Sequence, residues 1–284
     1  MKNLTVTICT LNEEKNIKEC IKSVIAQNPK NIIVIDGGST DKTIEILKNF
    51  NVKIIKVNKK GLAYQRKIGI ENVKTKYVCI LDADHRLKNG SLKNLILEMK
   101  KKNYVGIEAL IYKFDKKKNY WNDCFDINYE VSHNIPRETI MIGTPCIYRT
   151  DIIKKINFNP FFTGPSDDTD LCYRITKKGY RLGVGSFGIY HKNRTNFKDF
   201  LKKMIWYGKG DAQFIYKHPE RVHRMMYHQL INYPILKNYL AIKKGYIKSV
   251  PFFVMYGMLR FISMILSLTK LLIINSKDKN IYST

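Results

Sequence analysis

The chain has no GxxxxGK[ST] sequence, and no GxGxxG turn that follows a predicted strand and opens a predicted helix. Both loops cradle phosphates on glycine backbone at a helix N-terminus, so P-loop ATPases and dinucleotide enzymes are excluded and any nucleotide must be held by other means. The six cysteines (9, 20, 79, 124, 146 and 172) contain no CxxC pair; several lie in apolar runs such as "TVTIC" and "YVCIL", the setting of buried, reduced thiols. No leader precedes the first strand-like run, and with the cysteine usage this points to a cytoplasmic location. Acids are scarce: 24 Asp and Glu face 50 Lys and Arg, a net charge of +26. Such a field favours polyanions, anionic membrane surfaces or phosphorylated ligands and says nothing about fold. The excess is concentrated, since residues 192–284 carry 17 basic and 4 acidic side chains, a net of +13.

What is present is ordinary globular material, 44% apolar with 16 Gly and 8 Pro, long enough for one sizeable core with an appendage. From the N-terminus, short apolar strands alternate with helices. "LTVTIC", "NIIVI", "VKIIKV" and "YVCIL" read as strands; "NEEKNIKECIKSVIAQ", "KTIEILKNF" and "LAYQRKIGIENV" read as helices. The first helix is expected to start at Asn12, with Ile17, Cys20, Ile21 and Val24 on its buried face. This alternation predicts a parallel α/β sheet, and in such sheets ligands bind beyond the carboxyl ends of the strands. That rule selects Thr10 to Glu13, Asp36 to Asp41 and Asp82 to His85. After residue 104 the pattern loosens: "ETIMIGTPCIYR" reads as a strand, "SDDTDLCYRITKKGY" as a helix and "RLGVGSFGIYH" as a glycine-rich strand.

The acids at the strand ends pose an electrostatic question. Asp82 and Asp84 are two residues apart, share a face if the strand continues, and repel one another unless a cation intervenes. They read either as ligands of Mg²⁺ or Mn²⁺ or as exposed loop acids. Asp167, Asp168 and Asp170 open a predicted helix, as dipole partners or as crowded carboxylates that supply a general base. His191 closes a strand as metal ligand, proton-transfer group or plain polar end. His218, His223 and His228 are five apart, about 140° between neighbours on a helix, which disfavours chelation. From Ser249 to Ile274 a wide apolar helix carries a narrow polar stripe of Ser249, Tyr256, Arg260, Ser263, Ser267 and Lys270. It suits a helix lying in a membrane interface, with packing on the protein or a true span as the alternatives.

Together, "TICTLNEEKNIKECIKSV", "VIDGGSTDKT", "GLAYQRKIGI", "YVCILDADH", "SDDTDLCYRITKKGYRLG" and "IYHKNRTNFKDFLKKMIWYGKG" resemble, in order and spacing over residues 4 to 210, the family 2 glycosyltransferases. The resemblance implies a Rossmann-like GT-A fold with a mixed, mainly parallel sheet over residues 1–215, followed by a basic helical region, 216–284, that associates with membrane. It implies inverting transfer from a UDP- or GDP-linked sugar to a glycan or lipid-linked hydroxyl, with a polyprenyl phosphate as the alternative acceptor. In this reading Asp36 contacts the base, Thr10, Asn12 and Glu13 line the same pocket, and Arg66 belongs to the donor site. Lys67 stands where the family's turn has Asn. Asp82 and Asp84 match the metal- and ribose-binding pair, His191 completes the metal site, and Asp168 is the catalytic base. His85 receives no role. Nucleic acid is not an expected partner, because acids cluster where its phosphates would have to lie. The enzyme is expected at the inner face of the cell membrane.

Overall fold

The computed structural model describes residues 1–59, 61–113, 119–191 and 196–281, with side chains to residue 274. The elements run β1 (Leu4–Thr10), α1 (Ile17–Ile25), β2 (Asn31–Asp36), α2 (Thr43–Leu47), β3 (Lys53–Lys56), α3 (Leu62–Glu71), β4 (Tyr77–Asp82), β5 (His85–Leu87), α4 (Ser91–Lys101), β6 (Gly106–Lys113), α5 (Tyr120–Asn128), β7 (Arg137–Thr139), β8 (Cys146–Arg149), α6 (Thr150–Ile156), α7 (Asp167–Lys177), β9 (Leu182–His191), α8 (Phe197–Lys217), α9 (Val222–Tyr227), α10 (Asn238–Lys243) and α11 (Val250–Ile281). A π-helical stretch, His228–Lys237, joins α9 to α10.

The chain forms two compact units: one holds all the strands with α1–α4, α6 and α7, and the other holds α5, α8–α11 and the short segment Gly164–Ser166. The division expected at residue 215 would cut the last turn of α8. In the first unit the described strands form one mixed sheet, in the order β3-β2-β1-β4-β8-β6-β9-β5, with β7 also on β9. β3, β2, β1 and β4 are parallel, and β1 is buried at every position, which is why it reads as an unbroken apolar run. β8 runs antiparallel to β4 and β6, and β5 antiparallel to β9.

Several local expectations differ from the structure. α1 begins at Ile17 and not at Asn12, because Asn12 is left-handed (φ 57°) and the following N–H groups are taken by another loop. Glu13 N–H donates to Thr43 Oγ1 (2.8 Å) and Glu14 N–H to Asp41 Oδ2 (3.0 Å). The strand expected over 138–149 is two strands, β7 and β8, separated by a segment containing Gly143 and Pro145, residues that weaken a ladder. α4 buries Leu92, Leu95, Ile96 and Met99 on one face, an i, i+3, i+4, i+7 pattern in the sequence. The spacing Gly183-x-Gly185-x-x-Gly188 lies wholly inside β9, so it is no dinucleotide loop; a Cβ at Gly183 would fall 2.1 Å from the Tyr104 ring and one at Gly185 2.4 Å from Leu95. Those glycines admit close neighbours.

The second unit has an aromatic core of Phe125, Phe200, Phe252, Tyr233 and Tyr256. Within it Asp211 is fully buried and held by Arg260 Nε and Nη2 (2.7 Å for the latter), Gln229 Nε2 (2.7 Å) and Ser166 Oγ (3.4 Å). The first part of the polar stripe is turned inward: Ser249, Tyr256 and Ser263 are buried, Arg260 is mostly so, and Ser263 Oγ donates to the Ile205 carbonyl at 2.9 Å, whereas Ser267 is half-buried and Lys270 is exposed. The face left exposed is the apolar one, Val254, Met258, Ile262, Ile265, Leu266, Leu272 and Ile273. By length and composition Ile247–Ile274 is able to cross a membrane.

Candidate active site

The site is assembled at the carboxyl ends of β1, β2 and β4. At the end of β2 the Asp36 carboxylate closes its own turn: Oδ2 accepts from the Gly38 and Ser39 N–H groups (3.0 Å each), and Oδ1 accepts from Ser39 Oγ (2.5 Å) and Thr10 Oγ1 (3.3 Å). Buried carboxylates need such donors, and here they fix the loop that follows. Asn12 crosses to the same loop, accepting from Thr40 N–H at 2.8 Å. Gln65, from α3, bridges the splaying strand ends by donating to the Thr10 and Ile35 carbonyls at 3.0 and 2.9 Å. Thr10, Asn12 and Asp36 thus form one structural group. Glu13 is half-buried beside it; burial raises its carboxyl above the usual range, and Asp84 and Asp82 add to the rise.

Asp82 and Asp84 do not share a face, because the chain leaves the extended conformation in the turn between β4 and β5 and the period-2 argument ends with it. Asp82 turns to Thr144 Oγ1, which donates at 2.6 Å, and to Arg66 Nη2 at 3.4 Å. Arg66 is buried and its other terminal nitrogen donates to Asp167 Oδ2 at 2.8 Å, with the guanidinium 5.7 Å from the Phe158 ring centre. The structure therefore commits Arg66 to two carboxylates, one from β4 and one from α7. Lys67 lies on the outer face of α3, 3.8 Å from Glu71.

Asp84 turns the other way. Its Oδ2 is 3.0 Å from His191 Nε2 and its Oδ1 is 3.8 Å from His85 Nε2. β5 and β9 pair with His85 opposite His191, so a three-residue strand brings the two imidazoles together, ring centres 5.1 Å apart. Asp84, His85 and His191 are a group able to hold a metal ion. The donors of Asp84 and His191, a carboxylate oxygen and an imidazole nitrogen 3.0 Å apart, suit a divalent ion, and at that distance they also make a hydrogen bond to one another. Asp82 stands outside this group. His85 is fully enclosed, and burial holds its pKa below the ordinary histidine value.

Asp168, second residue of α7, is half-buried. Burial and then the neighbouring Asp167 push its carboxyl up to about 7, despite Arg66 and the Thr169 N–H, which donates to Oδ1 at 2.7 Å. A carboxyl titrating there is poised to take a proton near neutrality. Behind it Glu108 of β6 accepts from Gly143 N–H at 3.1 Å and is raised by burial to about 8. Glu108, His85, Gln65 and Thr144 were not singled out from sequence. His85 lay within a strand-end segment that had been marked; the other three carried no signal, being a strand, a helix and a loop residue that only the fold brings to the site.

The family model described as Glycosyl transferase family 2 matches residues 5–157, more than half of the chain. A Methanococcus voltae protein named dolichyl N-acetyl-alpha-D-glucosaminyl phosphate 3-beta-D-2,3-diacetamido-2,3-dideoxy-beta-D-glucuronosyltransferase is 26% identical over 76% of this chain and 75% of its own. Glycosyltransferase AglE of Haloferax volcanii is 25% identical over 74% of this chain and 73% of its own. Other relatives are matched over less than half their length, such as GlyG of Streptococcus pneumoniae over 40%. Among solved structures, S. aureus TarS 1-349 in complex with UDP-GlcNAc superposes with a TM-score of 0.54 at 16% identity, over 95% of this chain and 91% of that one. At that identity the likeness is one of fold, and it agrees with the GT-A-like mixed α/β architecture.

Proposed function

The chain belongs to glycosyl transferase family 2 and is a glycosyltransferase; from that premise we propose that it moves a sugar, with inversion, from a nucleoside diphosphate to a hydroxyl of a lipid-linked glycan. The observation that carries this reading is the pairing, in one unit, of the Asp84–His191 donor set with a carboxyl at Asp168 titrating near neutrality. Mg²⁺ or Mn²⁺ held by Asp84 and His191 would supply a Lewis acid for the departing diphosphate. Asp168 accepts the acceptor's hydroxyl proton as its oxygen attacks the anomeric carbon. One base at Asp168 suffices for an in-line displacement, which predicts inversion, and Arg66 holds the neighbouring Asp167 in an ion pair. Asp36, Thr10, Asn12 and Glu13 form the wall assigned to the nucleotide. The UDP-GlcNAc complex of TarS supports UDP over GDP as the base-bearing half.

A poised base favours a hydroxyl acceptor, since a polyprenyl phosphate is already ionised and needs none. The Methanococcus relative, named for transfer to a sugar on a dolichyl phosphate, supports the same choice. The outward apolar arc of α11 in a strongly basic region supports work at the inner, anionic face of the cell membrane. The test is nucleotide release from UDP- and GDP-sugars, with and without Mn²⁺ or Mg²⁺ and lipid extract. Metal- and lipid-dependent release that Asp84→Ala removes is expected; full release in chelator overturns the metal assignment, and full transfer by Asp168→Asn overturns the base.

A further inference from the structure

No sequence motif gives His85 a role, and its place beside Asp84 and His191 invites the opposite view, that it is a third ligand. We propose that it is neither: His85 is the positioning residue of the metal-binding carboxylate, and it gives no lone pair to the ion. This rests on the metal reading of Asp84 and His191.

The argument is one of tautomers. A neutral imidazole has one nitrogen with a lone pair and one bearing hydrogen. In His85 the lone pair is already used, because Nδ1 accepts the backbone N–H of Asp82 at 3.3 Å. Nε2 therefore carries the hydrogen, and Nε2 is the atom that faces Asp84, 3.8 Å from Oδ1. The two oxygens of Asp84 thus have different neighbours: Oδ1 lies 3.8 Å from the His85 N–H, an electrostatic contact beyond direct hydrogen-bond range, and Oδ2 lies 3.0 Å from His191 Nε2, a hydrogen-bond contact that this nitrogen can exchange for a shared ion. To become a ligand, His85 would have to give up the Asp82 N–H, leaving the last backbone donor of β4 without this partner. Its ring has no room to reorient freely, being 3% exposed and fixed opposite His191 by the β5–β9 pairing. Partners of this kind, one shell out from the ion, set the orientation of ligands and are worth about 10- to 100-fold in metal affinity.

The test uses the full chain and Mn²⁺ alone. Pulsed EPR of the Mn²⁺-loaded protein, labelled with ¹⁵N-histidine, counts the imidazole nitrogens bound directly to the ion. One is expected, lost in His191→Ala and kept in His85→Gln. In Mn²⁺ titrations His85→Ala should weaken binding about 10- to 100-fold, and His85→Gln, whose amide places an N–H near Oδ1, should restore most of it. Two bound nitrogens in the wild-type chain, one of them lost in His85→Gln, overturn the proposal and leave the metal site standing. Absence of saturable Mn²⁺ binding in the wild-type chain overturns the metal reading itself.

Discussion

Asp168→Asn should inactivate the enzyme and, above neutral pH, make it more stable. The folded chain raises this carboxyl from 3.8 to about 7, burial being the main cause and Asp167 the next. A carboxyl with a raised pKa binds its proton more tightly in the folded than in the unfolded state. Its ionisation therefore withdraws stability progressively as pH rises from about 4 to about 7, and the loss is complete above that window. About three units at ~1.36 kcal/mol each set an upper bound of ~4 kcal/mol, and solvent at a half-buried side chain brings it to about 2 kcal/mol. The asparagine has no charge to bury, so the variant should match the wild-type chain at pH 4 and exceed it by about 2 kcal/mol at pH 8, a rise in Tm of about 3 °C at this chain length. Urea unfolding of both proteins across that range measures the difference, in which the titrating groups remote from Asp168 cancel. Transfer should fall by about 10²- to 10⁴-fold in the same variant, and the wild-type rate should show an acidic limb near 7. Equal stability of the two proteins at pH 8 would mean that Asp168 is ionised at no cost, and the account of a poised base would fail.

Arg66→Lys keeps the charge but not the fork that reaches both Asp167 and Asp82, so urea unfolding should register a loss of about 1–3 kcal/mol. Arg260→Met strands the buried Asp211 and should cost about 3–5 kcal/mol, whereas the double variant Asp211→Leu/Arg260→Met should recover most of it; a double variant as unstable as the single would contradict the pairing. Ile262→Glu with Leu266→Glu, on the exposed arc of α11, should abolish sedimentation with phosphatidylglycerol vesicles while leaving Mn²⁺ binding to the full chain intact. Unchanged sedimentation would remove this face from the membrane proposal.

The alternating half of the sheet was readable because each central parallel strand is buried on both faces and each helix between them on one, so period alone identifies them. The same strand-end rule gathered Thr10, Asn12, Asp36, Asp82 and Asp84 without any structure. It could not say which acid meets which partner. Asp82 and Asp84 diverge because a turn, not a strand, separates them, and Arg66 is drawn to Asp167 from 101 residues away. His85 acquires its place through β5, a strand of three residues, too short to carry a period and defined only by its long-range pairing with β9.

The last helix makes the limit of periodic reading most concrete. The sequence of α11 announces two unlike faces, and the habit learned from surface helices turns the polar one outward. Here the polar face is the inner one, because Asp211 of α8 is a buried anion that only a cation can neutralise, and Arg260 is the residue in α11 that reaches it. Once that pair fixes the rotation of the helix, Ser249, Tyr256 and Ser263 follow it inward. Val254, Met258, Ile262, Ile265 and Leu266 are left outside, with Thr269 and Lys270 exposed one turn further on. A helical wheel records that the faces differ; the sign of the difference is set by one ion pair from another helix. An outward face of that composition has its lowest free energy against hydrocarbon, which is the physical basis for seeking the acceptor of this enzyme at a lipid surface.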